Sequence, residues 1–138
     1  MADCEWAMLC DFAFLDVGRK TCLVGIFDRI FTQAVPAQHH QAAFAFKVTG
    51  DAGEEVAFKM EILRPAGGSL GGVNGKLKLP PAGTMDVITN LQGVPLPDFG
   101  IYSFSLYLGD APEAAKTIGL TVAKLDAAAG AADQQPPQ

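Results

Sequence analysis

The amino-acid sequence predicts an all-β protein: an antiparallel β-sandwich of about eight strands, immunoglobulin-like or similar. Three observations carry that expectation. First, short stretches alternate apolar and polar residues. Phe44, Phe46 and Val48 alternate with Ala45, Lys47 and Thr49; Val56, Phe58, Met60 and Ile62 with Ala57, Lys59 and Glu61; Tyr102, Phe104, Leu106 and Leu108 with Ser103, Ser105 and Tyr107. A strand points successive side chains to opposite faces, so a period of two means one buried and one wet face. Second, turn residues recur roughly every 8–12 positions, the spacing of sandwiches and barrels. Third, no segment carries an apolar helical stripe longer than about two turns.

The strands follow in order. Trp6 to Leu15 reads as the first, with Asp16-Val17-Gly18-Arg19-Lys20 as a turn, and Thr21 to Thr32 as the second, forming a hairpin. Both are apolar on both faces for much of their length; Leu23, Val24, Ile26, Phe27, Ile30 and Phe31 do not alternate cleanly. Such strands are central and covered on both sides, or lie at a subunit contact. After Pro36, residues up to Gln41 read as a connection, and the third strand runs from Ala42 to Thr49. Gly50-Asp51-Ala52-Gly53 is a tight turn, and Glu54 to Leu63 is the fourth strand. Residues 66–75 are glycine-rich and read as a flexible or bulged edge segment running into Leu77 and Leu79. Met85 to Leu91 is a weaker strand, and Pro95 and Pro97 keep the residues that follow out of any central position. Ile101 to Leu108 is the clearest strand, and Lys116 to Leu125 is the last. The Gly100-Ile101-Tyr102 start allows two readings, a tyrosine corner or a plain core aromatic. Residues 126–138 hold no large apolar side chain and read as a disordered Ala/Gln/Pro tail beyond a single domain over residues 1–125.

Composition bounds the function. Apolar residues make up 49% of the 138 residues, enough for a core, and charged residues only 18%, below the roughly 25% of ordinary domains. The low charge predicts an outer surface that is partly apolar or covered by another copy of the chain. The net charge is −5, and the two-residue pairs Arg19-Lys20 and Lys76/Lys78 are too short for a phosphate-binding patch, so no nucleic acid is expected. The start of the chain lacks the basic and apolar pattern of a secretory signal, and no run reaches the length of a membrane span; the expected location is cytoplasmic, with no membrane partner. The three cysteines, Cys4, Cys10 and Cys22, lack metal spacing and read as reduced thiols, with Cys10 and Cys22 inside apolar stretches.

The polar residues that interrupt apolar strands are the candidate site. Asp11 sits in Leu9-Cys10-Asp11-Phe12, and Asp28 and Arg29 sit in Gly25-Ile26-Phe27-Asp28-Arg29-Ile30-Phe31. A charge in such a place is paired, turned outward at a bulge, or part of a functional cluster. His39 and His40 are the only histidines. Adjacent residues in an extended segment point opposite ways, so the two do not converge on one ion. No GxSxG surrounds a serine, and the glycine-rich segment opens no helix for a phosphate. Asp11, Asp28, Arg29, His39 and His40 are therefore a candidate polar cluster without an assigned catalytic, cofactor-binding or metal-binding role, and hairpin register decides whether Asp11 and Asp28 share a face.

These residues also carry a resemblance. Leu9-Cys10-Asp11, a glycine turn, Leu23-Val24-Gly25-Ile26-Phe27-Asp28-Arg29-Ile30, then Pro36 and His39, resemble the opening of a family of short bacterial proteins classed only as a domain of unknown function. Leu63-Arg64-Pro65-Ala66-Gly67 and Phe99-Gly100-Ile101-Tyr102-Ser103-Phe104 fit the same pattern, over roughly residues 6–124. The resemblance implies a bacterial cytoplasmic sandwich and brings no activity or cofactor. The expected function is a non-catalytic interaction or assembly module that self-associates or docks on a larger protein. The alternative is a small-ligand-binding sandwich using end loops at residues 36–41 and 66–75.

Overall fold

The structure is a computed structural model that describes residues 1–125. Nine strands follow in order: β1 (Asp3–Leu15), β2 (Thr21–Ile26), β3 (Arg29–Thr32), β4 (Ala37–Thr49), β5 (Glu55–Leu63), β6 (Ser69–Lys78), β7 (Thr84–Leu96), β8 (Gly100–Leu108) and β9 (Lys116–Lys124). They form two packed sheets, one in the order β2-β1-β4-β7 and the other in the order β3-β9-β8-β5-β6. Pairing is antiparallel throughout except between β3 and β9, which run parallel. The all-β sandwich read from the period-two stretches is the observed architecture. The tail expected over 126–138 lies outside the described residues.

The alternating residues build the core as expected. Phe44, Phe46 and Val48 from β4 meet Val56, Met60 and Ile62 from β5 and Tyr102, Phe104 and Leu106 from β8. Phe44 and Phe104 stack across the two sheets with centroids 6.4 Å apart, and Phe46 meets Phe58 edge-on at 5.3 Å. Aromatic pairs at such offsets add about 1 kcal/mol beyond the area they bury. The outer face of the β5-containing sheet is wet, with Glu55, Ala57 and Lys59 exposed beside β8 residues Ser103 and Tyr107.

Several boundaries differ from the sequence reading. The expected second strand, Thr21 to Thr32, is two strands in different sheets. Phe27 still donates its N–H to the Leu9 carbonyl at 3.1 Å, but the Asp28 carbonyl accepts from the Thr121 N–H at 2.9 Å. The chain crosses from one layer to the other at Phe27-Asp28. Apolar residues flank the crossover, Ile26 and Phe27 before it and Ile30 and Phe31 after it. The third strand begins at Ala37, not Ala42, because β7 continues to Leu96 and pairs with it from Ala37 onward. That β7 is an end strand makes room for Pro95, whose missing N–H has no further ladder to serve. The glycine-rich segment is edge strand β6; the register shifts at Ile62/Leu63, and Gly71 has φ 116°.

The first hairpin departs furthest from a flat sheet. β1 pairs with β4 from Asp3 to Cys10, and with β2 from Cys10 to Leu15. Thr21, opposite Leu15 near the hairpin tip, hydrogen-bonds to Asp86 on β7, at the other end of the same sheet. Asp86 lies level with Lys47 and, through it, with Trp6. The tip reaches that level only if the hairpin bends back over the outer face of its own sheet. The burial agrees: Ala43 and Ala45, on the outward side of β4, and Cys10, on the outward side of β1, are all fully buried. The alternation places Ala45 on a wet face; the folded hairpin covers it.

Candidate functional site

The bend has a local cause. Asp11 and Gly25 face each other between the paired positions Cys10/Ile26 and Phe12/Val24. Gly25 adopts φ 73°, and a Cβ there would stand 2.6 Å from the Asp11 Oδ2. Only glycine takes that conformation freely and admits a carboxylate so close. Both strands of the hairpin turn at this pair. The Cys10 thiol, just before the bend, donates to the Phe12 carbonyl at 3.2 Å and the Ala43 carbonyl at 3.6 Å. Burial, with the Asp11 charge adding to it, pushes the Cys10 thiol above its usual pKa; Cys4 is raised in the same way, mainly by burial.

Beyond the bend the hairpin has two unlike faces. The register pairs Ala13 with Leu23 on one side, and Phe12 with Val24 and Phe14 with Cys22 on the other. Ala13 and Leu23 are half-buried. Phe12, Phe14 and Val24 are 50%, 49% and 48% exposed. Leu15, Val17 and Ile26 are exposed as well, Leu15 beside Thr21 on the Ala13 side of the hairpin. The hairpin is held by the Thr21–Asp86 hydrogen bond, and the Lys47 Nζ lies 3.8 Å from the Asp86 Oδ1 and 3.9 Å from Glu5. Below the bend, where β2 has left the edge of β1, an open cleft of about 330 Å³ has Met8, Leu9, Ile26, Phe27, Asp28 and Ile118 in its lining.

The polar candidates separate. Asp11 and His39 come together, with the imidazole Nε2 3.4 Å from the Asp11 Oδ1 and the ring 5.0 Å from Phe27. The Nε2 is buried and makes no hydrogen bond. Asp28 and Arg29 sit on the crossover, both exposed and turned outward, so Asp28 falls outside the hairpin that carries Asp11; His40 is exposed as well. Among the described residues no group of three or more His, Cys, Asp or Glu side chains gathers as metal ligands. What the arrangement offers is an apolar, preformed, partly latched surface with a carboxylate–imidazole pair at its base.

Tyr102 completes a different constellation, in the other sheet. Its hydroxyl accepts from the Asp98 N–H and donates to the Asp98 carbonyl, both at 2.8 Å. This is the tie of a tyrosine corner, the first of the two readings of the Gly-Ile-Tyr start. Arg64 grips the Asp98 carboxylate at 2.8 and 3.0 Å. Burial raises the Tyr102 hydroxyl above its usual pKa. The sequence signal for this corner was present; nothing in it pointed to the Gly25 bend or the Thr21–Asp86 contact, whose partners lie far apart along the chain.

Fold and site together define a two-layer β-sandwich that carries a folded-back hairpin with an exposed apolar face. The chain belongs to a family of unknown function (DUF6941), whose model matches residues 5–122, from the start of β1 into β9. No curated protein matches it. Among the described residues no helix is long and apolar enough to cross a membrane.

Proposed function

We propose that this chain is a non-catalytic assembly module, bacterial and cytoplasmic, that works by presenting the outward face of its first hairpin to another protein surface. The observation that carries the reading is the half-exposure of Phe12, Phe14 and Val24 on one face. An aromatic-rich apolar patch costs solubility when left in water and contributes most of the affinity when covered. The face is also prearranged. The glycine bend and the Thr21–Asp86 bond hold it against the sheet, so little ordering entropy is lost on docking.

The test is site-specific photo-crosslinking in cells from a photoreactive amino acid at position 14. The reading expects a defined adduct that disappears when Val24→Glu is added while the thermal unfolding temperature stays unchanged. A folded protein that gives no adduct from this face overturns it.

A further inference from the structure

We infer that the first hairpin, beyond its bend, is a hinged lid with a minor open state, which it visits while the two sheets stay packed. The inference goes beyond the docking reading and stands whatever the outer face meets.

The first observation is that the hairpin owns no part of the core. From Asp11 to Gly25 no residue is buried, and none belongs to the core cluster or packs against it. Cys10, Ala43 and Ala45 are fully buried, yet they lie outside that cluster too. What they offer the hairpin is two methyl groups and a thiol. A segment with so few buried apolar contacts belongs to the low end of local stability, where opening costs far less than global unfolding.

The second observation is the fastening. Among the described residues one hydrogen bond, from Thr21 to Asp86, ties the hairpin beyond the bend to β4 or β7, and no ion pair does. At the other end stands Gly25 at φ 73°. A glycine there absorbs the dihedral change that a swing of the hairpin requires.

The third observation lies at the two ends of the closed contact. Among the described residues two buried side-chain polar atoms make no hydrogen bond, the His39 Nε2 and the Asp86 Oδ1. His39 stands beside Asp11 at the root and Asp86 beside Thr21 at the tip. A buried polar group without a partner is costly, so the closed lid bears a penalty at each end. Opening uncovers the small apolar side chains of β4 and the Cys10 thiol, and it carries the Phe12/Phe14/Val24 face away from the sheet. Anything that binds one of the two states better shifts the population toward it.

Alkylation of the Cys10 thiol in rising urea, on the folded full chain, tests this. The global urea slope is read separately by circular dichroism. Local opening exposes little surface, so it depends weakly on denaturant, whereas a globally gated rate follows the full slope. Between no urea and about 1 M, the Cys10 rate should rise less than about twofold, against roughly tenfold for global gating. Thr21→Val should raise the rate several-fold and keep the weak urea dependence. Amide exchange at residues 12–24 should show the same weak dependence, because a two-stranded hairpin lifted off its sheet is marginal in water. A Cys10 rate that climbs with the global slope overturns the inference, and so does a rate that Thr21→Val leaves unchanged.

Discussion

Thr21 donates its hydroxyl to the carboxylate of Asp86, tying the tip of the first hairpin to the far end strand of the same sheet. The two residues are distant in the chain, and their strands are separated in the sheet order by β1 and β4. The bond makes the hairpin a lid on its own sheet. The folded hairpin is what covers Ala43, Ala45 and Cys10 on the outward side of the sheet.

Breaking that tie should loosen the lid and spare the sandwich. Thr21→Val removes one partly buried hydrogen bond to a charged acceptor, and the expected cost is about 1–2 kcal/mol. Hydrogen exchange should speed up at amides of residues 12–24 and stay slow in β5 and β8. Uniform loss of protection would show that the hairpin and the sandwich unfold as one unit.

Gly25→Ala should act at the bend. The alanine would take φ 73° and push its Cβ against the Asp11 carboxylate. The expected destabilisation is about 1–2 kcal/mol, measured by urea unfolding. It should also separate Asp11 from His39, visible as a change in the His39 ring resonances. Gly53, also at positive φ, has nothing within 4 Å of its missing Cβ, so Gly53→Ala should cost only the backbone strain and leave His39 undisturbed.

Tyr102→Phe should destabilise the fold by about 1–2 kcal/mol, because it removes the partner of the partly buried N–H and carbonyl of Asp98. It should also change the alkaline limb of the stability curve. Burial raises the Tyr102 pKa in the folded state, so the unfolded chain releases this proton first. The contribution is complete below the ordinary tyrosine pKa of about 10, and it is lost as pH rises past that value through the raised folded one. Cys4 and Cys10, also raised by burial, act with the same sign. The difference between wild type and Y102F across this range isolates the tyrosine; parallel curves would contradict the corner.

The thiols should react in a fixed order. Cys22 is half-buried on the hairpin, while Cys4 and Cys10 are buried with raised pKa values and hence little thiolate. Iodoacetamide should label Cys22 first. In Thr21→Val, Cys10 should gain reactivity as the lid lifts and Cys4 should not. Mass spectrometry of peptides after timed labelling reads this directly.

The sandwich was legible because its signal is local. Phe44-Ala45-Phe46-Lys47-Val48 states its own period, and any fold that uses it as a strand must bury the phenylalanines together. The candidate site was legible only in part. Asp11 was singled out as an acid inside an apolar strand and His39 as one of the two histidines, and they meet. Asp28 and Arg29 stood out for the same reason as Asp11, yet they mark the point where the chain changes layer. A charged pair inside an apolar run looks alike whether it is buried in a site or turned outward at a crossover, because the run reports only that both flanks are covered.

Alone, the order of residues determined which side chains enter the core, that the elements are strands, and that the first two carry more apolar surface than one layer can hide. Those properties follow from periodicity and composition, which belong to neighbours in the chain. Tertiary structure decided where that surplus goes. One face of the hairpin closes over Ala43 and Ala45, and the other, with Phe12, Phe14 and Val24, is left outside. That choice depends on a bend at Gly25 and a bond between Thr21 and Asp86, a long-range contact that no local pattern encodes.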